Sequence, residues 1–600
     1  KGFNYLNNNS NQIFMKQICK KALLFMLFVG SAFSINAQKM SVTGKVSDNS
    51  STLPGVSILI KGTKTGTETD FDGKYTISAK VGDVLVFSYV GYKTSQKTVD
   101  NASVINIIMV EDNSVLDEVI VVGYGTQSKR KLTDNIVKLS SKDIADVPTP
   151  SVMNSLAGKA AGVQVSQTNG KVEGGLSFRI RGQSSISAGS NPLYVLDGIP
   201  LINNNESNNG SPTNPLLTLS PNEIESIDIL KDASSAAMYG ARGANGVVVI
   251  TTKSGKEGKT KFSVNVSNGV SEKTNSRDWL NTEQYIELFL EAGENGFNYG
   301  GWPTNGAQYV ENRFDRYSNN TWRDRTYDTN WEDLAIVKGY TRDADFSMSG
   351  GDAKTTYFFS GAYNDTKGIV LGNELNRISS RLNVKHKLTD KFTAGMNLSF
   401  SRTDIDRIAN DNSFVTPLQA IAQAPISPAF VDGEPFVNTV YANFLLQDKY
   451  GSYNTIIRRV TGKAFAEYNF TSKLKFNTDF AYDLYSQTED SWDGSLVPFQ
   501  STNGEAYASN VNTENYIFSN YFTYSTIFNE EHDLDIIAGT ELNKSKRRFN
   551  SVTGQQFPTD DFQTVSSAAE ITAGSGSFTQ YAFVSYFCLV LKYGYRLKLI

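Results

Sequence analysis

Histidine and cysteine are nearly missing. The 600 residues hold two of each, His386 and His532, Cys19 and Cys588, too few for most zinc cages, His-based triads or disulfide frameworks. Neither sign of charge is in excess: 57 Lys+Arg against 61 Asp+Glu leave −4, without the basic surplus of a nucleic-acid binder. Proline is scarce at 15. Beyond the N-terminal segment there is no run of about 18 apolar residues, so no helix is expected to span a bilayer. What is plentiful is Gly (48), Phe (35) and Tyr (29), in a chain only 39% apolar. That composition favours many β-strands over a helical bundle.

The chain opens on Lys1, and residues 1–14 read as upstream of the true start. Met15 to Lys21 is a basic stretch, Ala22 to Val29 a short apolar core, and small residues follow up to Ala37. This is the pattern of a signal peptide over 15–37, leaving Gln38 first. Cys19 departs with it, and it precedes the apolar core, which does not suit a lipoprotein cysteine. Export without a later apolar helix leaves a soluble secreted protein or a β-barrel.

Residues 41–110 read as short strands and turns forming a β-sandwich, with Gly73 supplying a positive φ in the turn Asp70 to Tyr75. Asp70 and Asp72 are expected as turn residues rather than calcium ligands. The run Asp117-Glu118-Val119-Ile120-Val121-Val122 within 115–127 is either one more buried strand or a mobile strand that pairs with another protein by edge addition. Periodicity does not choose between them.

Residues 128–256 have a mixed α/β texture, with helices expected at Ser151–Ala161, from Ser220, and at Ala233–Tyr239. The glycines at 240, 243 and 246 are no phosphate cradle, because a helix precedes them and a strand follows. From 259 to 600 long alternating strands appear, about ten residues each, with tight turns on one side and polar inserts such as Asn275–Asp343 and Asp404–Tyr453 on the other. This asymmetry marks an outer-membrane barrel rather than a sandwich. No nucleophile–base pair, metal motif or cofactor site is visible, so no catalytic residue is expected.

Three strings carry a resemblance. Asp117 to Gln127, Pro192-Leu193-Tyr194-Val195-Leu196-Asp197-Gly198, and Lys231 to Val247 with Tyr239, Gly240, Arg242, Gly243 and Gly246 resemble the SusC/RagA family of TonB-dependent outer-membrane transporters of Bacteroidota. The sandwich resembles the carboxypeptidase-regulatory-like domain that this family carries, which is not a peptidase. The resemblance implies a mainly β fold: sandwich, TonB box (Asp117 to Val122), α/β plug and transmembrane barrel. It implies import of oligosaccharides, peptides or another nutrient. TonB, energised by ExbB/ExbD, would pull on the box, and a SusD-like surface lipoprotein would cap the barrel in outer-membrane lipid. The plug loop with Asn203, Asn204, Asn205, Asn208 and Asn209 would face the ligand, or be a solvated linker. An exported surface-adhesive β-protein is the alternative, though it would not need the α/β segment.

About ten barrel strands fit between 259 and 600, whereas the family's barrels have about 22. The sequence therefore reads as an incomplete copy. Ten strands leave two open edges, and each unpaired backbone group in hydrocarbon costs several kcal/mol. Residues 15–600 expressed alone are expected to aggregate or be degraded in the periplasm. A heat-modifiable, protease-resistant band from purified outer membranes would refute this.

Overall fold

The computed structural model describes residues 40–48, 51–63, 65–89, 92–100, 104–110, 119–122, 125–128, 136–145, 151–167, 169–182, 189–202, 206–207, 212–298, 305–408, 415–497, 503–528 and 532–594. The leader at 15–37, Asp117 and Glu118, and Asn203, Asn204, Asn205, Asn208 and Asn209 lie outside them. Two compact units make up the chain.

The first is the sandwich. Its strands are β1 (Met40–Ser47), β2 (Ser57–Ile60), β3 (Gly66–Glu68), β4 (Lys74–Ala79), β5 (Val84–Ser88), β6 (Ser95–Thr98) and β7 (Ile107–Ile108). They form two sheets, ordered β4-β1-β7 and β3-β2-β5-β6. Alternation decides what is inside: β4 buries Tyr75, Ile77 and Ala79 and turns Lys74, Thr76 and Ser78 outward. The buried set packs with Val42, Val46, Ile58 and Phe87 in one core. At the turn, Asp70 Oδ1 accepts from the amides of Asp72 and Lys74 at 2.9 and 2.8 Å. Gly73 there has φ +73°. Turn chemistry accounts for that carboxylate.

β8 (Val119–Val122) and β9 (Gly125–Ser128) make a two-stranded sheet. The second unit, which already takes in Ile120–Gln127, continues with β10 (Ile136–Ser140), β11 (Val163–Gln167), β12 (Leu176–Ile180), β13 (Leu193–Leu196), β14 (Ile199–Pro200), β15 (Ile224–Leu230) and β16 (Val247–Thr252). Five of these form a sheet ordered β10-β15-β16-β13-β14. The unbroken apolar runs Leu193–Leu196 and Val247–Ile250 are buried throughout, as strands covered on both faces must be.

Two expected helices are corrected. Ser151–Ala161 contains only a 3₁₀ turn, Asn154–Leu156. Gly158, at φ +73°, breaks it, and the Ser151 hydroxyl accepts from Asn214 at 2.6 Å instead of capping. The helix from Ser220 is a single 3₁₀ turn, Pro221–Glu223, running into β15, because Ile224 to Leu230 is buried between β10 and β16. Ala233–Ala236 is α-helical and continues as a 3₁₀ stretch to Gly243, kinked at Gly240.

The wall is a ten-stranded sheet. It runs from β17 (Gly258–Ser271) through β18 (Gly339–Gly351), β19 (Thr355–Lys367), β20 (Glu374–Lys387) and β21 (Phe392–Asp406). A small hairpin, β22 (Phe430–Val431) and β23 (Glu434–Pro435), interrupts the order. The wall resumes with β24 (Gly451–Asn469), β25 (Leu474–Asp493), β26 (Glu505–Phe528), β27 (His532–Gln555) and β28 (Glu570–Gly594). β17 and β28 are the two outer strands. The strands are not about ten residues long, as expected, but run from 13 in β18 to 25 in β28. A strand that crosses a bilayer needs only about ten. Phe262, Val264, Leu398, Phe400, Phe518 and Phe522 stand exposed on the outward rows; on the lipid face of a barrel such side chains meet hydrocarbon.

The inserts also differ from the expected polar loops, and Asp343 belongs to β18. Helices Thr282–Asn298, Gly306–Tyr317 and Trp331–Ala335 lie between β17 and β18. The second buries Gly306, Val310 and Phe314, spaced by four, on one face. These meet Ala424 and Ile426 of the insert before β24, so two loops distant in sequence share one core.

In the sandwich, burial pushes the Tyr75 phenol up to about 12 from 10.0, and its hydroxyl donates to the Ile105 carbonyl at 2.8 Å. The folded value exceeds the unfolded one, so this stabilisation is complete below pH 10.0 and is lost as pH rises towards 12. Denaturant midpoints of the sandwich are expected to fall over that window. Tyr75→Phe should remove the alkaline loss while costing about 1 kcal/mol at neutral pH, because Ile105 loses its donor.

Candidate functional site: the plug against the wall

Along a barrel strand every second side chain faces inward. In β20 the buried row is Leu375, Arg377, Ser379, Arg381 and Asn383. In β25 it includes Asp483, Tyr485, Gln487 and Glu489. Most of such a row is polar, but its apolar members reach the plug: Leu375, Ile405, Ile457 and Tyr485 pack with Ile202 and Leu217, and Ala481 and Ile517 with Ile199. Beside these apolar patches the plug is held by charge.

Three clusters do this. Glu223, on the turn before β15, accepts from Arg381 Nε at 3.1 Å and from the hydroxyls of Ser360 and Ser379 at 3.3 and 3.2 Å. Arg381 also reaches Asp197 at 3.5 Å. In the second cluster, Glu173 of the plug meets Arg407 Nε at 3.4 Å and takes a 2.8 Å bond from Asn373. Arg407 Nη1 bonds Ser207 at 2.8 Å and pairs with Glu489 at 3.3 Å. The side chains of Glu173, Arg407 and Glu489 are each only 1% exposed. In the third, Arg459 and Asp483 pair at 2.8 Å within the wall. Together they grip plug backbone: Arg459 donates to the carbonyls of Ile202 and Pro215 at 3.3 and 3.2 Å, and Asp483 accepts from the Ile202 amide at 3.2 Å.

The plug strings highlighted in sequence turn out to shape this seat more than to touch it. Tyr194 is buried edge-on to Phe178, and burial holds its phenol well above the usual range. Asp197, at φ +49°, fixes the end of β16 by accepting from Thr252 N and Oγ1 at 2.9 and 2.7 Å. Gly198 follows at φ +85°. Tyr239 packs on the Leu193–Val249 core, Gly240 makes the kink, and a Cβ on Gly243 would sit 2.8 Å from the Ala236 carbonyl. Gly246 has φ +88°, with Ile180 Cδ1 only 2.6 Å from where a Cβ would stand. Two of these residues reach the wall: Arg242 pairs with Glu541 at 3.0 Å, and Asp197 meets Arg381 at 3.5 Å and accepts at its carbonyl from Lys463 at 3.4 Å.

Of the proposed ligand loop, Glu206 and Ser207 are described, and both are tied to the wall: Glu206 accepts from Arg547 at 2.7 Å and Ser207 from Arg407. Of the TonB-box residues, Val119, Ile120, Val121 and Val122 form β8. No cluster of metal-ligating side chains occurs among the described residues. Sequence reasoning missed Glu173, Glu223, Arg381, Arg407, Arg459 and Asp483. For Arg381, Arg459 and Asp483 the available signal was a charged residue at an inward position of an alternating strand; Glu173, Glu223 and Arg407 lie outside strands and carry no such signal.

Removing one partner of a buried pair strands the other, a loss of about 3–5 kcal/mol. In the full-length protein Arg381→Met should loosen the plug by that order, seen as faster proteolysis of 128–256. Adding Glu223→Leu to Arg381→Met should restore most of the resistance.

Residues 128–247 match the TonB-dependent receptor plug domain, and 42–121 the CarboxypepD_reg-like domain. The chain is 33% identical over 528 residues to TonB-dependent receptor P26 of Formosa agariphila, covering 85% of this chain and 49% of that protein. It is 32% identical over 470 residues to TonB-dependent receptor SusC of Bacteroides thetaiotaomicron, covering 75% and 41%. Among solved structures, the RagAB peptide importer in its closed-closed state aligns with a TM-score of 0.65 at 24% identity, covering 77% of this chain and 54% of that one. The chain spans about half the length of the curated relatives it matches.

Proposed function

We propose that this chain, which belongs to the SusC/RagA family of TonB-dependent receptors, serves in energised import across an outer membrane. The observation that carries the reading is the charged seat between plug and wall. A plug that must come and go is better held by matched charges that water can receive on separation than by an apolar face. The β-rich architecture and the outward apolar rows suit lodging in outer-membrane lipid, and a cleaved leader at 15–37 would deliver the chain there. The relatives are receptors rather than enzymes, and we assign no covalent chemistry.

In this reading TonB, driven by ExbB/ExbD, takes hold of Asp117 to Val122 by edge pairing, in which backbone bonds give the grip and no pocket is needed. β8 already pairs with β9, so a strand at this position is compatible with the backbone. A SusD-like surface lipoprotein would capture cargo above the wall, and Asn203, Asn204, Asn205, Asn208 and Asn209 would meet it from the plug, on a loop anchored through Glu206 and Ser207. The cargo is an oligosaccharide, a peptide or another nutrient; the RagAB neighbour is a peptide importer.

Val119→Pro in the full-length protein removes a ladder donor and fixes φ. Energy-dependent uptake should fall at least about tenfold, equivalent to about 1.4 kcal/mol of lost pairing, while the amount assembled in the membrane stays normal. Unchanged uptake would overturn the box assignment.

A further inference from the structure

At the end of the wall opposite the tight turns, the two long inserts border a cleft of about 760 Å³. One side is the segment Ser276 to Asn281 with the helix Thr282–Asn298 and the start of Trp331–Ala335; the other is the insert before β24. Most of its polar groups are already engaged within the two inserts. Trp331 Nε1 donates to the Ala424 carbonyl at 2.9 Å and Thr329 Oγ1 to that of Ser427 at 2.7 Å. Gln423 Nε2 donates to the carbonyls of Tyr441 and Ala442 at 3.0 and 2.8 Å, while Asn281 and Asn330 cap the two helices. The open part of the lining is apolar: Trp279, Leu280, Phe289 and Ile421 are 42%, 42%, 39% and 60% exposed. Phe289 stacks on Tyr285, with ring centroids 4.2 Å apart.

Four charged side chains share the lining, Asp278, Asp328 and Glu332 against Arg277. Glu332 is met by Lys273 at 3.1 Å and by Trp279 Nε1 at 2.5 Å. Asp278 and Asp328 pair with no Lys or Arg among the described residues; Asp328 Oδ1 accepts from the Thr282 amide at 2.9 Å. An acidic excess beside open aromatic faces attracts a cation twice, through the carboxylates and through the ring quadrupoles. A hydroxyl-rich solute or a peptide backbone finds few spare donors or acceptors there, and an anion meets the wrong excess. We propose that this cleft binds a small organic cation that carries an aromatic or alkyl group. Its charge is met by Asp278 and Asp328, and its apolar part lies against Trp279, Phe289 and Ile421. The volume suits such a ligand, since small-molecule sites span about 300–1,000 Å³. No plug residue lines the cleft, and the proposal stands independently of the import reading.

The test is equilibrium dialysis of the full-length protein in detergent against three tritiated probes that share one ring: benzyltrimethylammonium, benzyl alcohol and phenylacetate. The expected result is saturable binding of the cation, at least about fivefold tighter than of the alcohol, with phenylacetate weakest. Trp279→Ala should weaken the cation about tenfold. Ile421→Arg, at an exposed position that the fold does not need, should do at least as much by adding a positive charge, with an unaltered melting temperature. The double variant Asp278→Asn, Asp328→Asn should weaken the cation and leave the alcohol as it was. Equal affinity for cation and alcohol would make the cleft merely apolar, and tightest binding of phenylacetate would assign it to an anion at Arg277; either overturns the proposal. So does parent-like cation binding by Ile421→Arg or by the double variant, which places the probe elsewhere, and so does the absence of saturable binding.

Discussion

Matched charge in a dry place is what the rest of the second unit depends on. A barrel that faces lipid outward must turn its other row of side chains inward, and in this chain that row is mostly Arg, Asp, Glu, Asn, Ser and Thr. Such a row offers only small apolar patches, where Ile199, Ile202 and Leu217 of the plug meet the wall. The plug keeps most of its apolar residues for its own core, where Ile227, Ile229, Val248 and Ile250 are fully buried, and presents Glu173, Glu206 and Glu223 to the wall. The wall answers with Arg407, Arg547 and Arg381. Each plug carboxylate meets an arginine from a different stretch of wall, which fixes register as well as contact.

The strands were the readable part of the sequence. Clean alternation, as in Phe392 to Phe400, and turns such as Leu388 to Lys391 reflect period two and local turn chemistry, both of which are properties of neighbouring residues. Where tertiary packing decides, local reading failed. Ser151 looks like a helix cap, but its hydroxyl is claimed by Asn214, and Ser220-Pro221 looks like a helix start, yet the following isoleucines are wanted in the central sheet. The inserts were underestimated for a related reason. Their polar composition hides the Val310 and Phe314 stripe, which has value only against Ala424 and Ile426 more than 100 residues away.

The candidate site was the least legible element. Glu223 and Arg381 lie 158 positions apart, and nothing near either residue in sequence announces the other. The glycines at 240, 243 and 246 were conspicuous as a string, but their role is steric: close backbone approach at Gly243, positive φ at Gly240 and Gly246. A conspicuous motif therefore marked the architecture, and inconspicuous charges marked the working surface.

The charged seat also resolves a mechanical tension. A plug must stay put against thermal motion and still yield to a pull. Mutating one partner of a buried pair leaves a dry, lone charge, which is why such losses reach about 3–5 kcal/mol. Pulling the surfaces apart is a different process, because water follows into the gap and solvates both partners. The cost is then only the difference between the pair's attraction and its recovered hydration, which is small for buried pairs. An apolar seat has no such compensation, since every Å² exposed adds about 25 cal/mol.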